Sequence, residues 1–88
     1  MTQQPDTAPG MYYVTVRRPK SGATGYDYVL LAGPFINDHA GALATVAAAS
    51  KLANEYDARS HWYEFGTARF PYTQTAPGIF NKNLGLPY

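Results

Sequence analysis

The sequence has no cysteine, and His39 and His61 are the only two histidines among its 88 residues. Without cysteine there can be no disulfide bond, thiolate metal site or cysteine nucleophile, so an apolar core or a partner must stabilise the fold. A reducing, intracellular setting is the simplest interpretation. Histidine ligand pairs need helical i, i+4 spacing or adjacent strands, and these two histidines flank a predicted helix. We therefore predict no metal site and no cofactor.

Long apolar runs and an excess of charge are also missing. No stretch approaches the roughly 18 apolar residues of a membrane-spanning helix, and residues 1–10 lack the features of a signal peptide. Seven Lys and Arg against six Asp and Glu leave a formal charge of +1. That charge is too small to indicate a nucleic-acid partner by net field or a DNA mimic by acidity. We expect a cytoplasmic protein with no membrane partner.

Aromatic residues, by contrast, are abundant, with eight Tyr, four Phe and one Trp in the chain. A domain of this length buries only about 60–65% of the surface that its unfolded chain exposes. Several rings should therefore lie near the surface of the domain.

The chain divides into three parts by composition. Residues 1–10 contain two prolines and no hydrophobic period, which predicts a disordered leader. Residues 11–70 carry the periodic segments of a core domain. After Pro71 no period survives and Pro77-Gly78 signals a turn, so residues 71–88 are predicted to form an extended arm that docks on the domain or on a partner.

Two strands joined by a hairpin loop are predicted at the start of the core. Residues 11–18 alternate between apolar and more polar side chains, with the period of two expected of a half-buried strand. Residues 19–25 contain two glycines and have the composition of a turn. The β-rich run at residues 26–32 is expected to be a second, central strand that Gly33 and Pro34 close.

A helix over residues 38–56 follows, because alanine, the best helix former, dominates this segment. Asn37 or Asp38 can cap its first turn by accepting hydrogen bonds from free amides. One side of the helix should pack on the sheet. That predicted side consists of Leu43, Val46, Ala47, Ser50 and Ala53.

A third strand is predicted over residues 61–70, where Gly66 suggests a bulge or a close backbone approach. The fold class is therefore α+β, a small β-β-α-β domain in which one alanine-rich helix covers one face of a three-stranded antiparallel sheet. The opposite face would carry several of the rings Tyr13, Tyr26, Trp62 and Phe70. A monomer rarely leaves so much aromatic surface bare, so the arm or another chain should cover it.

Catalysis finds little support in the sequence. The serines lack any nucleophile motif, and a strand would place His61 and Glu64 on opposite faces. The glycine-containing loop at residues 21–25 lies between two strands, whereas phosphate cradles precede a helix. We therefore predict that the chain is not an enzyme.

Basic residues offer a different function. Arg17, Arg18 and Lys20 crowd the predicted hairpin tip, and Arg69 could join them if the first and third strands are neighbours in the right sense. Basic side chains interleaved with rings bind single-stranded nucleic acids by phosphate contacts and stacking. Residues 64–70 also resemble the first ribonucleoprotein motif of RNA-recognition domains.

Two families resemble the chain. The step from Gly33-Pro34-Phe35 into an alanine-rich helix and an aromatic strand resembles the second half of a SPOR domain, which implies binding to glycan strands of the bacterial cell wall. Over nearly the whole chain, the order of short motifs is similar to short uncharacterised proteins of bacterial phages and plasmids. Those motifs are Tyr12-Tyr13-Val14, Leu30-Leu31-Ala32-Gly33-Pro34-Phe35, Phe65-Gly66-Thr67-Ala68-Arg69, Pro77-Gly78 and Leu84-Gly85-Leu86.

The second resemblance implies a cytoplasmic accessory protein of a mobile element in a bacterial host, which inhibits a host defence system by binding, as anti-CRISPR proteins do. The expected partner is a host protein or protein complex, with a second copy of the chain as another partner. The alternative is a single-stranded nucleic-acid-binding module. The predicted binding residues are Tyr13, Arg17, Arg18, Lys20, Tyr26, Trp62, Arg69 and Phe70.

Overall fold

A computed structural model describes residues 5–19, 26–74 and 76–86 of the chain. The predicted α+β class and the β-β-α-β order are confirmed. The elements are β1 (Met11–Pro19), β2 (Tyr26–Ile36), α1 (His39–Tyr56), a 3-10 helix (Ala58–Trp62) and β3 (Glu64–Phe70). Of the predicted hairpin loop at residues 19–25, Pro19 is the last residue of β1, and residues 20–25 lie outside the described residues.

The three strands form one antiparallel sheet in the order β2-β1-β3. The prediction that the second strand is central is wrong, because β1 holds that position. Residues 11–16 of β1 are all buried, as expected of a strand with a neighbour on each side. The apolar run in β2 has a different cause, since the C-terminal arm covers the outer edge of that strand.

The arm packs against its own chain along β2. Backbone amides of Gly78, Ile79 and Phe80 donate to β2 carbonyls at distances of 3.2, 3.0 and 2.8 Å. Phe80 also enters the core between helix and sheet, beside Val16 and Leu31. An edge strand with free polar groups is a template for unwanted pairing, and the arm closes this edge.

β2 continues through Gly33 and Pro34 to Ile36, so the prediction that these two residues end the strand is wrong. The pairing of β1 with β2 shifts register on both sides of Val14, and these shifts allow the strand to continue through Gly33 and Pro34. Gly33 has a φ of 131°, and a Cβ there would lie 2.8 Å from the carbonyl oxygen of Tyr12. Only glycine fits this position.

The helix begins as predicted, since the side chain of Asp38 accepts a hydrogen bond from the Gly41 amide at 2.9 Å. Its packed side is turned slightly from the predicted one, and Ala47 is exposed. Alanines on both sides of the helix hide this rotation from the sequence. The side chains that pack towards the sheet are His39, Ala42, Val46, Ala49, Leu52 and Ala53.

β3 starts at Glu64, three residues later than predicted, because a 3-10 helix occupies the preceding residues. Asp57 caps that helix by accepting a hydrogen bond from the Arg59 amide at 3.0 Å. Arg59 holds the pKa of this carboxyl below its usual range through its side-chain and backbone hydrogen bonds. The expectation for Gly66 is wrong in both forms, since β1 and β3 pair without a register shift and a Cβ there would meet nothing within 4 Å.

Candidate binding site

A concavity of about 340 Å³ opens where residues 9–10 meet the end of β3. Binding pockets for small groups commonly begin at about this size. We name it the Arg69 cup. It is lined by Pro9, Gly10, Arg69, Phe70, Pro71 and Tyr72.

The guanidinium of Arg69 is the only charged group of the cup lining. Its Nη1 donates to the carbonyl oxygen of Pro9 at 3.2 Å, and no carboxylate of the described residues forms an ion pair with it. The aliphatic stem packs on Gly10, where an added Cβ would lie 2.7 Å from the Arg69 Cγ. Because Gly10 has no side chain, the stem of Arg69 can pack there, and this packing positions the guanidinium.

Asn37 fixes the opposite wall of the cup. Its side-chain oxygen accepts hydrogen bonds from the Gly10 amide at 2.9 Å and from the Tyr72 hydroxyl at 2.5 Å. Asn37 adopts a φ of 53°, a left-handed conformation that asparagine tolerates better than most residues. The ring of Tyr72 is 56% exposed, so one end is anchored while the rest faces solvent.

The segment before the cup, predicted as part of a disordered leader, contacts the domain at several points. The Tyr12 hydroxyl donates to the Ala8 carbonyl at 2.5 Å, and the Asp6 amide donates to Nδ1 of His39 at 2.6 Å. Because Nδ1 accepts, the ring proton lies on Nε2, which donates to the Thr67 hydroxyl at 2.8 Å. The rings of His39 and Tyr12 stack at 4.7 Å.

Burial also affects the hydroxyl of Tyr12. It raises the pKa of this group, and the nearby carboxylate of Asp6 raises it further. The neutral hydroxyl, which donates to Ala8, is thereby favoured.

Two predicted binding residues, Arg69 and Phe70, meet in the cup. Tyr13 is fully buried, and its ring contacts that of Phe70 edge-to-face at 5.4 Å. Its hydroxyl donates to the carbonyl of Ala76 in the arm at 2.6 Å. The arm thus covers this end of the rear sheet face, the face opposite α1, and Tyr13 supports the ring of Phe70 there.

The predicted basic cluster does not assemble around Arg69. Antiparallel pairing places Arg17 opposite Glu64 and Arg69 opposite Tyr12, at different ends of the sheet and on different faces. Arg17 forms an ion pair with Glu64. The side chains of three other predicted residues, Arg18, Tyr26 and Trp62, lie outside the described part of the structure, as does all of Lys20.

The rear sheet face also carries a shallow depression away from this end. Thr15, Tyr28 and Gly66 border a shallow depression there, and the Tyr28 ring is 64% exposed. A separate apolar groove runs between the end of α1 and the arm, where Tyr56 stacks on Phe80 at 5.7 Å. Both concavities are smaller than the cup, at about 140 Å³ each, and neither combines a charge without an ionic partner with rings.

Sequence reasoning missed four of the cup residues and Asn37. Pro9, Gly10, Pro71 and Tyr72 lie in segments without periodicity, and Arg69 is held by a backbone carbonyl that no sequence pattern marks. The one sequence signal for the cup was a proline on each side of it, Pro9 and Pro71, because prolines restrict the backbone conformation locally.

Both ring nitrogens of His39 are engaged in hydrogen bonds, and no cluster of three potential metal ligands occurs among the described residues. None of the helices in the described ranges is long and apolar enough to cross a membrane.

The chain was compared with protein families, curated proteins and solved structures. Neither a protein-family model nor a curated protein nor a solved structure matches this chain.

Proposed function

We propose that the chain is a non-enzymatic protein that binds a partner protein through the Arg69 cup, which receives an acidic side chain of that partner. The observation that carries the proposal is a guanidinium with no ionic partner among the described residues, standing in a cup walled by Phe70, Tyr72 and two prolines. A guanidinium binds a carboxylate through two parallel hydrogen bonds, and the exposed Arg69 is accessible to such a group.

The composition of the cup fits a protein partner. Arg and Tyr are among the residues that contribute most to binding energy at protein interfaces, particularly where they sit in pockets. The hydrogen bonds that Asn37 accepts from Gly10 and Tyr72 hold the cup in shape before a partner arrives. Such preorganisation lowers the entropy that binding must overcome.

The biological context of the proposal comes from the resemblance to short phage and plasmid proteins. On that basis the partner is a host protein or protein complex in the bacterial cytoplasm, and binding blocks a defence system, as anti-CRISPR proteins do. An inhibitor of this kind needs a rigid complementary surface and no catalytic group.

The alternative, binding of single-stranded nucleic acid, has less support from the geometry. It needs Arg17 and Arg69 on one surface, yet they lie on different faces, and Glu64 balances the charge of Arg17. Binding to single strands that weakens with salt and with replacement of Arg17 and Arg18 by Ala would favour it over the cup.

Affinity capture from a bacterial lysate tests the proposal with a matched pair of variants. Arg69→Gln removes the cup charge, whereas Arg59→Gln removes an exposed charge that is paired with Asp57 far from the cup. We expect a protein that the wild type and Arg59→Gln retain and Arg69→Gln loses. If every captured protein is retained equally by both variants, the proposal is wrong.

A further inference from the structure

The two edges of the sheet are treated differently by the chain. The arm closes the outer edge of β2 with backbone hydrogen bonds, whereas no group in the described ranges hydrogen-bonds to the backbone of β3 on its outer side. None of the seven residues of β3 is fully buried. The strand contains neither Lys nor Pro, two residues that commonly protect an open edge, and its charged residues, Glu64 and Arg69, stand at or next to its ends.

The direction of the β3 amides follows from the pairing on the other side of the sheet. The carbonyl of Leu30 accepts a hydrogen bond from the arm, and the register shift between Val14 and Thr15 lets the carbonyl of Leu31 point the same way. The carbonyls of Leu31 and Gly33 both accept hydrogen bonds from the arm, so they point away from β1. Ala32, between them, must then face Val14 on β1. Since successive residues of a strand point their amides in opposite directions, the odd-numbered residues of β1 face β3.

The register of β1 and β3 shows which residues of β3 point their amides towards the open edge. Met11 pairs with Phe70 and Tyr13 with Ala68, so the even-numbered residues of β3 point their amides inward. The amides and carbonyls of Phe65, Thr67 and Arg69 therefore point outward. They form a regular row of donors and acceptors along the edge.

We infer that this edge pairs with the same edge of a second copy of the chain, antiparallel, with Thr67 of one copy opposite Thr67 of the other. In that register, Phe65 lies opposite Arg69 of the other copy. Every outward-facing amide thus meets an outward-facing carbonyl, and each copy donates three hydrogen bonds, from residues 65, 67 and 69. A register shifted by one residue would place inward-facing amides against outward-facing ones.

The side chains are compatible with this pairing. Glu64 lies opposite Phe70, and Arg69 opposite Phe65, so no like charges face each other directly. Gly66 lies opposite Ala68, and both are small enough for close approach. The net charge of +1 gives little repulsion between copies.

The dimer would have one continuous sheet made of three strands from each copy, with both helices on the same side. It does not depend on the function proposed for the cup. Self-association is measured with no other partner present, so the two proposals can fail separately.

A pair of variants at position 67 tests the inference in the full chain. Thr67→Pro and Thr67→Val both lose the hydroxyl that binds His39, but only the proline also removes the outward amide at the centre of the pairing. Sedimentation equilibrium over a wide concentration range should show dimers for the wild type and Thr67→Val, and monomers for Thr67→Pro. A wild type that stays monomeric throughout, or a Thr67→Pro that dimerises like Thr67→Val, overturns the inference.

Amide hydrogen exchange of the wild type gives a second readout that needs no variant. The amides of Phe65, Thr67 and Arg69 should exchange more slowly as the protein concentration rises. Those of Gly66 and Ala68, bonded within one copy, should change little. Self-association without added protection at the three outward amides would show that the copies meet elsewhere and would overturn the inference.

Discussion

Asn81 and Gly33 are joined by two hydrogen bonds in opposite directions. The Gly33 amide donates to Oδ1 of Asn81 at 2.9 Å, and Nδ2 of Asn81 donates back to the Gly33 carbonyl. Asn81 is only 4% exposed. Its side-chain amide therefore pairs with the Gly33 backbone as a neighbouring strand would, and it holds the arm on the edge of β2.

Replacing Asn81 by Ala should destabilise the protein by roughly 1–3 kcal/mol, because the buried Gly33 amide would lose its acceptor. Asn83→Ala, at an exposed position of the same arm, is the control. Urea unfolding measures both free energies. Equal stability of the two variants would contradict the role given to Asn81.

Gly78→Ala should also loosen the arm. An added Cβ would overlap the backbone of Ala32, so the arm must shift and its bonds to β2 must weaken, at a cost of about 1–3 kcal/mol. Gly66→Ala is the matched control, because its Cβ meets open space and alanine suits a strand better than glycine. Thermal unfolding of the two variants should differ clearly, and equal midpoints would refute the close contact of Gly78 with β2.

Stability should fall as the pH rises above about 10, the usual pKa of tyrosine. Burial raises the pKa of Tyr13, so in this range the unfolded chain releases the proton more readily than the folded chain, and unfolding is favoured. Tyr13→Phe should lose the bond to Ala76, about 1 kcal/mol at neutral pH, and should show a shallower alkaline decline. Urea unfolding across this pH range checks both effects, and an unchanged alkaline slope would contradict them.

Gly10→Ala should disable the cup without touching its charge. The new Cβ would displace the stem of Arg69 and so move the guanidinium away from Pro9. Capture of the partner should fall towards the level of Arg69→Gln, while Gly66→Ala captures normally. Full capture by Gly10→Ala would mean that the position of the guanidinium is unimportant.

The elements of this fold were predictable where local patterns decide. Alternation marked β1, alanine content marked α1, and Asp38 marked its start. The strand order was not predictable in the same way. An edge strand covered by the arm is as apolar as a central strand, so β2 carried a misleading signal.

The cup was predictable only in part. Arg69 was identified as a possible member of a basic cluster, and Phe70 as a ring on the sheet face opposite the helix. Their partners come from residues 9–10 and from Asn37, and the contacts involve a backbone carbonyl and a left-handed asparagine. Such contacts depend on where the backbone runs in space, which no residue pattern in this sequence encodes.

The cup is tested most directly by NMR titration of the protein with two short peptides that differ at one residue. Both carry a Phe, beside Glu in one and beside Gln in the other. The Glu peptide should shift the amide signals of Gly10, Phe70 and Tyr72, and the Gln peptide should shift them much less. Arg69→Gln should abolish the difference. Equal responses of the wild type to both peptides, or no response at these amides, would contradict recognition of a carboxylate by the Arg69 cup.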